Sequence, residues 1–258
     1  MQNPGRPDHR AAVAAETHRL ADLIRGADLT AAVPGCPGWT LLDLTRHVGA
    51  VQRWFSVLLE QRVQERPTSR DVDLRLPAEE SGYPDWLAEG AAVAAGAFDA
   101  VDPDAPMWVW GADGHARFWA RRMYFETLLH RTDAERALGL GSELDPASAH
   151  DGVDEFLVNL PFAGPFAPKV ANLRGTGEVI RFESTDTAGR WPVALGPDGF
   201  GLLAEDEDRA GAAAAATVRA PAADLLLLLY GRLDRTAAAV RTEGDDALLE
   251  RWFANSEF

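Results

Sequence analysis

Two stretches of this chain repeat their apolar residues with a helical period, and each turns ionisable side chains toward its apolar face. In the first, Leu44, Val51, Trp54 and Leu58 recur at steps of seven, three and four, the spacing of one side of an α-helix. His47 lies on that side. In the second, Trp119, Met123 and Ala137 mark the inward face, and Glu126 and His130 sit on it one turn apart. Charged groups turned toward a core need interior partners, because a carboxylate buried alone is strongly disfavoured or loses its charge.

The rest of the first half also reads as helix. Residues from about Arg10 to Arg25 carry Ala, Leu and Ile at helical spacing. Thr40 and Asp43 form a capping pattern after Pro37-Gly38, opening a helix that runs to about Val63. A polar stretch from Gln64 to Pro84 is long for a loop, which suggests a crossover or a lid. Helices follow from about Pro84 to Ala100 and from about Ala116 to Leu138, the second ending before Gly139 and Gly141. Four helices with one long connection predict a four-helix bundle.

The texture changes beyond residue 143. A helix over about Ala147–Leu160 leads into a Gly- and Pro-rich stretch. The runs EVIRFESTD, RWPVALGPDGFGLL and AAAATVRAP then read as strands of a meander. A last helix, DLLLLLYGRLDRTAAAV, follows Pro221. The expected fold class is α+β, with an all-helical domain over 1–143 and a small α/β domain over 144–258.

Charge and cysteine content narrow the function. The formal net charge of -15 would repel nucleic acid phosphates and anionic membranes, so neither is an expected partner. Cys36 is the single cysteine, which excludes an internal disulfide and a cysteine-rich zinc knuckle. The first twenty residues have no apolar signal-peptide core, and the longest apolar run, Leu225 to Tyr230, is too short to span a bilayer. The expectation is a cytoplasmic protein, a monomer or weak homodimer.

Two imidazoles and a carboxylate are what a catalytic zinc site uses, with a fourth position left for water or substrate. Nickel or iron would accept the same donors. The bland alternative is that His47 and His130 are satisfied core histidines and that Glu126 pairs with Arg122.

At these residues the chain resembles a known family. PGWTLLDLTRHVGAVQRWF, RRMYFETLLHRTDAERALG and PAADLLLLLYGRLDR occur in the order of the signatures of the mycothiol-dependent maleylpyruvate isomerase family, a branch of the DinB-like metal-dependent helix bundles. The resemblance implies a DinB-like four-helix bundle followed by a small sterol-carrier-like α/β domain. It implies His47, Glu126 and His130 as ligands of zinc, mycothiol as thiol cofactor, and a catalytic arginine matched by Arg232. It also implies thiol addition to a small electrophile, ending in isomerisation or S-transfer. Phe125 stands where many members have His before the Glu.

Other residues have two readings each. Cys36, in a turn before a helix, could be a nucleophile or a buried turn cysteine. Asp43 and Asp133 could orient ligands, or cap a helix and pair with Arg136 or Arg122 respectively. Trp108, Trp110 and Trp119 could wall a pocket or simply pack. His9, His18, His115 and His150 fall outside the stripes and are expected at the surface. Two rival functions stay open: a DinB-like metalloenzyme using metal-bound water or direct substrate chelation without mycothiol, and a non-enzymatic apolar-ligand carrier with a structural metal.

Overall fold

The computed structural model describes residues 7–68, 72–204 and 213–257. The first six of the twenty N-terminal residues and residues 69–71 of the long polar connection lie outside the described residues. The chain divides into two compact units, one made of 7–109 and 113–143, the other of 110–112 and the residues from Leu144 onward.

The first unit holds four long helices: α1 His9–Ile24, α2 Leu41–Gln61, α3 Tyr83–Asp99 and α4 Arg117–Ala137. Their ends follow from local chemistry. The Asp8 carboxylate accepts the Arg10 N–H at 3.1 Å and opens α1. Thr40 and Asp43 form a reciprocal capping box at the start of α2, so the cap reading of Asp43 holds. Pro84 sits in the first turn of α3, where its missing N–H costs nothing. Gly139, at φ +70, follows the end of α4.

α1 packs on α3 and α4, and α2 packs on the same two helices. Leu20, Ile24, Leu41, Leu44, Val48, Trp86 and Leu87 form one buried cluster. Elsewhere in the bundle, Phe55 stacks on Phe98 with centroids 5.3 Å apart. The long polar connection carries a 3-10 turn at Glu80–Gly82 among its described residues, and the Leu74 carbonyl accepts the Trp86 indole N–H.

The second unit opens with α5 Pro146–Asn159. Its strands are β1 Glu178–Ser184, β2 Arg190–Leu195, β3 Phe200–Leu202, β4 Ala216–Ala220 and β5 Arg241–Gly244. Among the described residues it also holds two more α-helices, α6 Ala222–Leu229 and α7 Asp246–Asn255. Ile180 and Phe182 are fully buried and alternate with half-buried Arg181 and Glu183, the pattern of a sheet with one covered face. Trp252 of α7 covers Phe182, with centroids 5.5 Å apart.

Two expectations are corrected here. The sheet is not a plain meander. Its order is β3-β2-β1-β4-β5, with β1 and β4 parallel and the other pairs antiparallel. The helix after Pro221 does not reach Val240. It stops at Leu229, because Gly231 takes φ +70 and Asp234 turns the chain by accepting the Thr236 N–H. Beyond it lie β5 and α7, which the sequence reading did not predict. β5 is a four-residue polar edge with no apolar alternation, and α7 shows only ten residues of pattern.

Candidate metal centre

The site is assembled from α2, α4 and the loop between α1 and α2. That loop is closed by backbone bonds from Val33 N–H to the Trp39 carbonyl and from Trp39 N–H to the Cys36 carbonyl. Gly38, at φ +85, supplies the left-handed residue of this turn. The loop thereby delivers Cys36 and Trp39 to the same region as the inward faces of α2 and α4.

His47, Glu126 and His130 come together. Their ligand atoms all lie within 4.8 Å of one another. His47 Nε2 is 2.8 Å from Glu126 Oε1, and His130 Nε2 is 3.4 Å from the same oxygen. The other oxygen, Oε2, accepts a hydrogen bond from the Arg122 guanidinium at 2.7 Å. The Glu126–Arg122 pairing therefore exists, and it coexists with the imidazole contacts. Trp39 lies against both imidazoles, with centroids 5.0 Å from His47 and 6.2 Å from His130. The side chain of His47 is 30% exposed and that of His130 only 10%, so the cluster opens to solvent on the His47 side.

The electrostatics follow from this packing. Burial alone would push the Glu126 carboxyl upward. Hydrogen bonds from His130 and His47, with the charge of Arg122, outweigh it and hold the group well below the usual carboxylate range. Burial also opposes charge on His130, but Asp133, Cys36 and Glu126 outweigh it and raise the imidazole well above its ordinary value.

The donor set suits zinc: two nitrogens and an oxygen, with a position left open. Bonds of about 2.0–2.1 Å in a tetrahedron put ligand atoms about 3.4 Å apart. The His130–Glu126 separation of 3.4 Å matches that, while the 2.8 Å between His47 and Glu126 is a hydrogen-bond distance that has to open somewhat.

The remaining candidates sort cleanly. Cys36 is half-buried, with Sγ 3.5 Å from Asp133 Oδ2. Asp133 meets His130 Nδ1 at 3.1 Å, the contact that its reading as a ligand-orienting carboxylate called for. His130 also lies beside Cys36, within 4.8 Å of its thiol. Trp108 and Trp119 pack together at 5.9 Å, whereas Trp110 belongs to the second unit, against Phe166. His18 is exposed and His115 half-exposed, but His9 packs on the Tyr124 ring and His150 on that of Trp191, so these two are half-buried and not free surface residues. Arg232 belongs to the second unit. It donates to the Tyr230 carbonyl at 2.7 Å and lines a cavity of about 350 Å³ with Arg235, Leu233, Phe253 and Ser256. Trp39 is the site-lining residue that sequence reasoning gave no role, whereas Arg122 was already read as a partner of Glu126. Arg122 stands four residues before Glu126 on one helix face, which was the available signal.

A helix bundle gathering two imidazoles and a carboxylate at one open point, joined to a small mixed-sheet unit, defines a two-part class of protein with a polar centre inside its helical half. The profile of the mycothiol maleylpyruvate isomerase N-terminal domain matches residues 10–135, and that of the MDMPI C-terminal domain matches residues 147–251. The chain belongs to the mycothiol-dependent maleylpyruvate isomerase family. Two crystal structures of the mycothiol-dependent maleylpyruvate isomerase, one of a histidine-to-alanine mutant, are similar to it. Each aligns with a TM-score of 0.56 at 16% identity over 92% of both chains, a likeness of fold. No curated protein matches the chain by sequence. Among the described residues, no helix is long and apolar enough to cross a membrane.

Proposed function

We propose that His47, Glu126 and His130 hold one divalent metal ion, zinc by the preference of the donors, and that the protein activates mycothiol for addition to a small electrophile, ending in isomerisation or S-transfer. The observation that carries this reading is the convergence of the three donors, in a chain matched along both halves by the family's domains. A bound zinc supplies the lowering of a thiol's pKa, so that thiolate is available at neutral pH.

The chain's own groups divide the remaining work. Glu126 brings a carboxylate held by His130, His47 and Arg122. His47, on the open side, borders the approach to the site. Trp39 covers the imidazoles and excludes water from that flank. Arg232 is the proposed catalytic arginine of the second unit, suited by its charge to an anionic electrophile.

Metal analysis of protein purified without chelator is expected to find about one equivalent, lost in His130→Ala. Calorimetric titration with mycothiol is expected to give heat in the zinc-loaded protein and none in the stripped one. A wild type that takes up no metal overturns the centre. A loaded protein that gives no heat with mycothiol overturns the thiol and favours chemistry through metal-bound water.

A further inference from the structure

His130 has polar partners on both edges of its ring. Nε2 faces Glu126 and His47, while Nδ1 faces Asp133 at 3.1 Å. Asp133 is fully buried, and its Oδ2 also takes the Cys36 thiol at 3.5 Å. Cys36, His130 and Asp133 therefore form a second group of donors whose atoms lie within 4.8 Å of one another. One imidazole cannot serve both groups with the same nitrogen. Either the Cys36 side is a second metal station, or it fixes the ring for the first.

We infer that Asp133 is a positioning residue: it accepts a hydrogen bond from the Nδ1–H of His130 and so leaves Nε2 as the nitrogen offered to the metal, with the Cys36 thiol as a further donor to the same carboxylate. This rests on the metal reading above. Three features favour positioning over a second station. Asp133 and His130 are three residues apart on one helix, so their geometry is set by the helix itself. Asp133 lies inside the bundle, where a carboxylate needs donors, and Nδ1–H and S–H are both donors. A carboxylate behind a ligating histidine fixes its tautomer and raises its basicity. Cys36 is the weaker of the two donors, so its loss is expected to matter less.

The full chain, stripped of metal, is titrated with zinc against a chromophoric chelator as wild type, Asp133→Asn and Cys36→Ser. The zinc-loaded wild type is also studied by nitrogen-15 NMR of the histidine rings. One equivalent of zinc, bound through His130 Nε2 with Nδ1 protonated, is expected. Asp133→Asn is expected to bind about 10–100-fold more weakly with an unchanged circular dichroism spectrum, and Cys36→Ser within about threefold of wild type.

Asp133→Asn that binds as tightly as wild type overturns the positioning role and leaves the three-ligand centre standing. Coordination through Nδ1, with a thiolate-to-metal absorption band in the cadmium-loaded protein, overturns it and moves the metal to the Cys36 side. Wild type that binds no zinc overturns the centre itself. The NMR measurement needs only the wild type, so a variant that fails to fold still leaves the inference open to refutation.

Discussion

Helix α4 carries two buried charge clusters, and they differ in one respect that separates structure from chemistry. At Arg131 the cluster is closed. The guanidinium bonds Glu16 of α1 and Glu135 one turn on, and Glu16 also takes Arg19 at 2.9 Å. Every carboxylate there is met by a guanidinium, a group that keeps its charge at any ordinary pH and cannot be displaced by a metal. At Glu126 the cluster is only half closed. Arg122 holds one oxygen, and the other is shared by two imidazoles. An imidazole that loses its proton offers a lone pair to a metal, which a guanidinium in a protein does not. The same helix thus holds one cluster able only to stay as it is and one able to exchange protons for a metal.

The comparison breaks most visibly at Arg131. Arg131→Met leaves Glu16 buried without its main partner and should lower stability by about 3–5 kcal/mol, read from urea unfolding of the metal-free protein. A loss below about 1 kcal/mol would mean that the closed cluster is not structural. Glu126→Gln is the matching test on the open side. The amide still accepts from Arg122, so stability should fall by only about 1–2 kcal/mol. Zinc affinity should fall by about a hundredfold or more, since loss of even an outer partner costs about 10–100-fold. Equal stability losses in the two variants would erase the distinction.

Much of this was legible in the sequence, for a physical reason. The stripes on α2 and α4 are long enough for period to show direction, so the inward placement of His47, Glu126 and His130 could be read from spacing alone. The pairing of Asp133 with Cys36 could not. Asp133 lies on the same helix, but its partner Cys36 is 97 positions away, and the loop bonds that bring the two together are made by backbone atoms. The short elements failed similarly. Five consecutive leucines at 225–229 fit any helix, and the end at Leu229 depends on the conformation of Gly231. The parallel pairing of β1 with β4 is a choice of topology that strand composition does not encode.

A smaller effect sharpens how tightly α2 is held behind the site. Gly49 lies two residues beyond His47, and a Cβ there would meet the Trp86 ring at 2.2 Å. Trp86 cannot easily yield, because its indole donates to the Leu74 carbonyl and its ring lies under Arg53. In an open helix Gly→Ala gains about 1 kcal/mol; here overpacking of about 1–3 kcal/mol should win, leaving Gly49→Ala destabilised by about 1 kcal/mol. A more stable variant in thermal melts would show that α2 and α3 can part. Zinc affinity, measured on the same sample, should then reveal whether His47 moves with them.

The smallest effect lies in the second unit, where a carboxylate works through hydrogen bonds to a backbone N–H and a hydroxyl. Asp186, exposed after β1, accepts the Ala222 N–H at 2.8 Å and the Ser184 hydroxyl at 2.8 Å, holding the start of α6. Its slight burial would raise its pKa, but the Ala222 and Ser184 hydrogen bonds outweigh that and hold it below the usual value. A carboxyl lowered by folding stabilises the protein above its unfolded pKa and loses that contribution as pH falls through the folded value. Asp186→Ala should therefore cost about 0.5–1 kcal/mol at neutral pH, the low end for a helix cap because the group is exposed. The gap from wild type should stay constant down to about pH 5 and shrink below about pH 4. Melts of both proteins between those limits test the sign. A gap that widens in acid would mean that the protonated carboxyl is the better cap, and that hydrogen bonding to the charged form does not hold α6 in place.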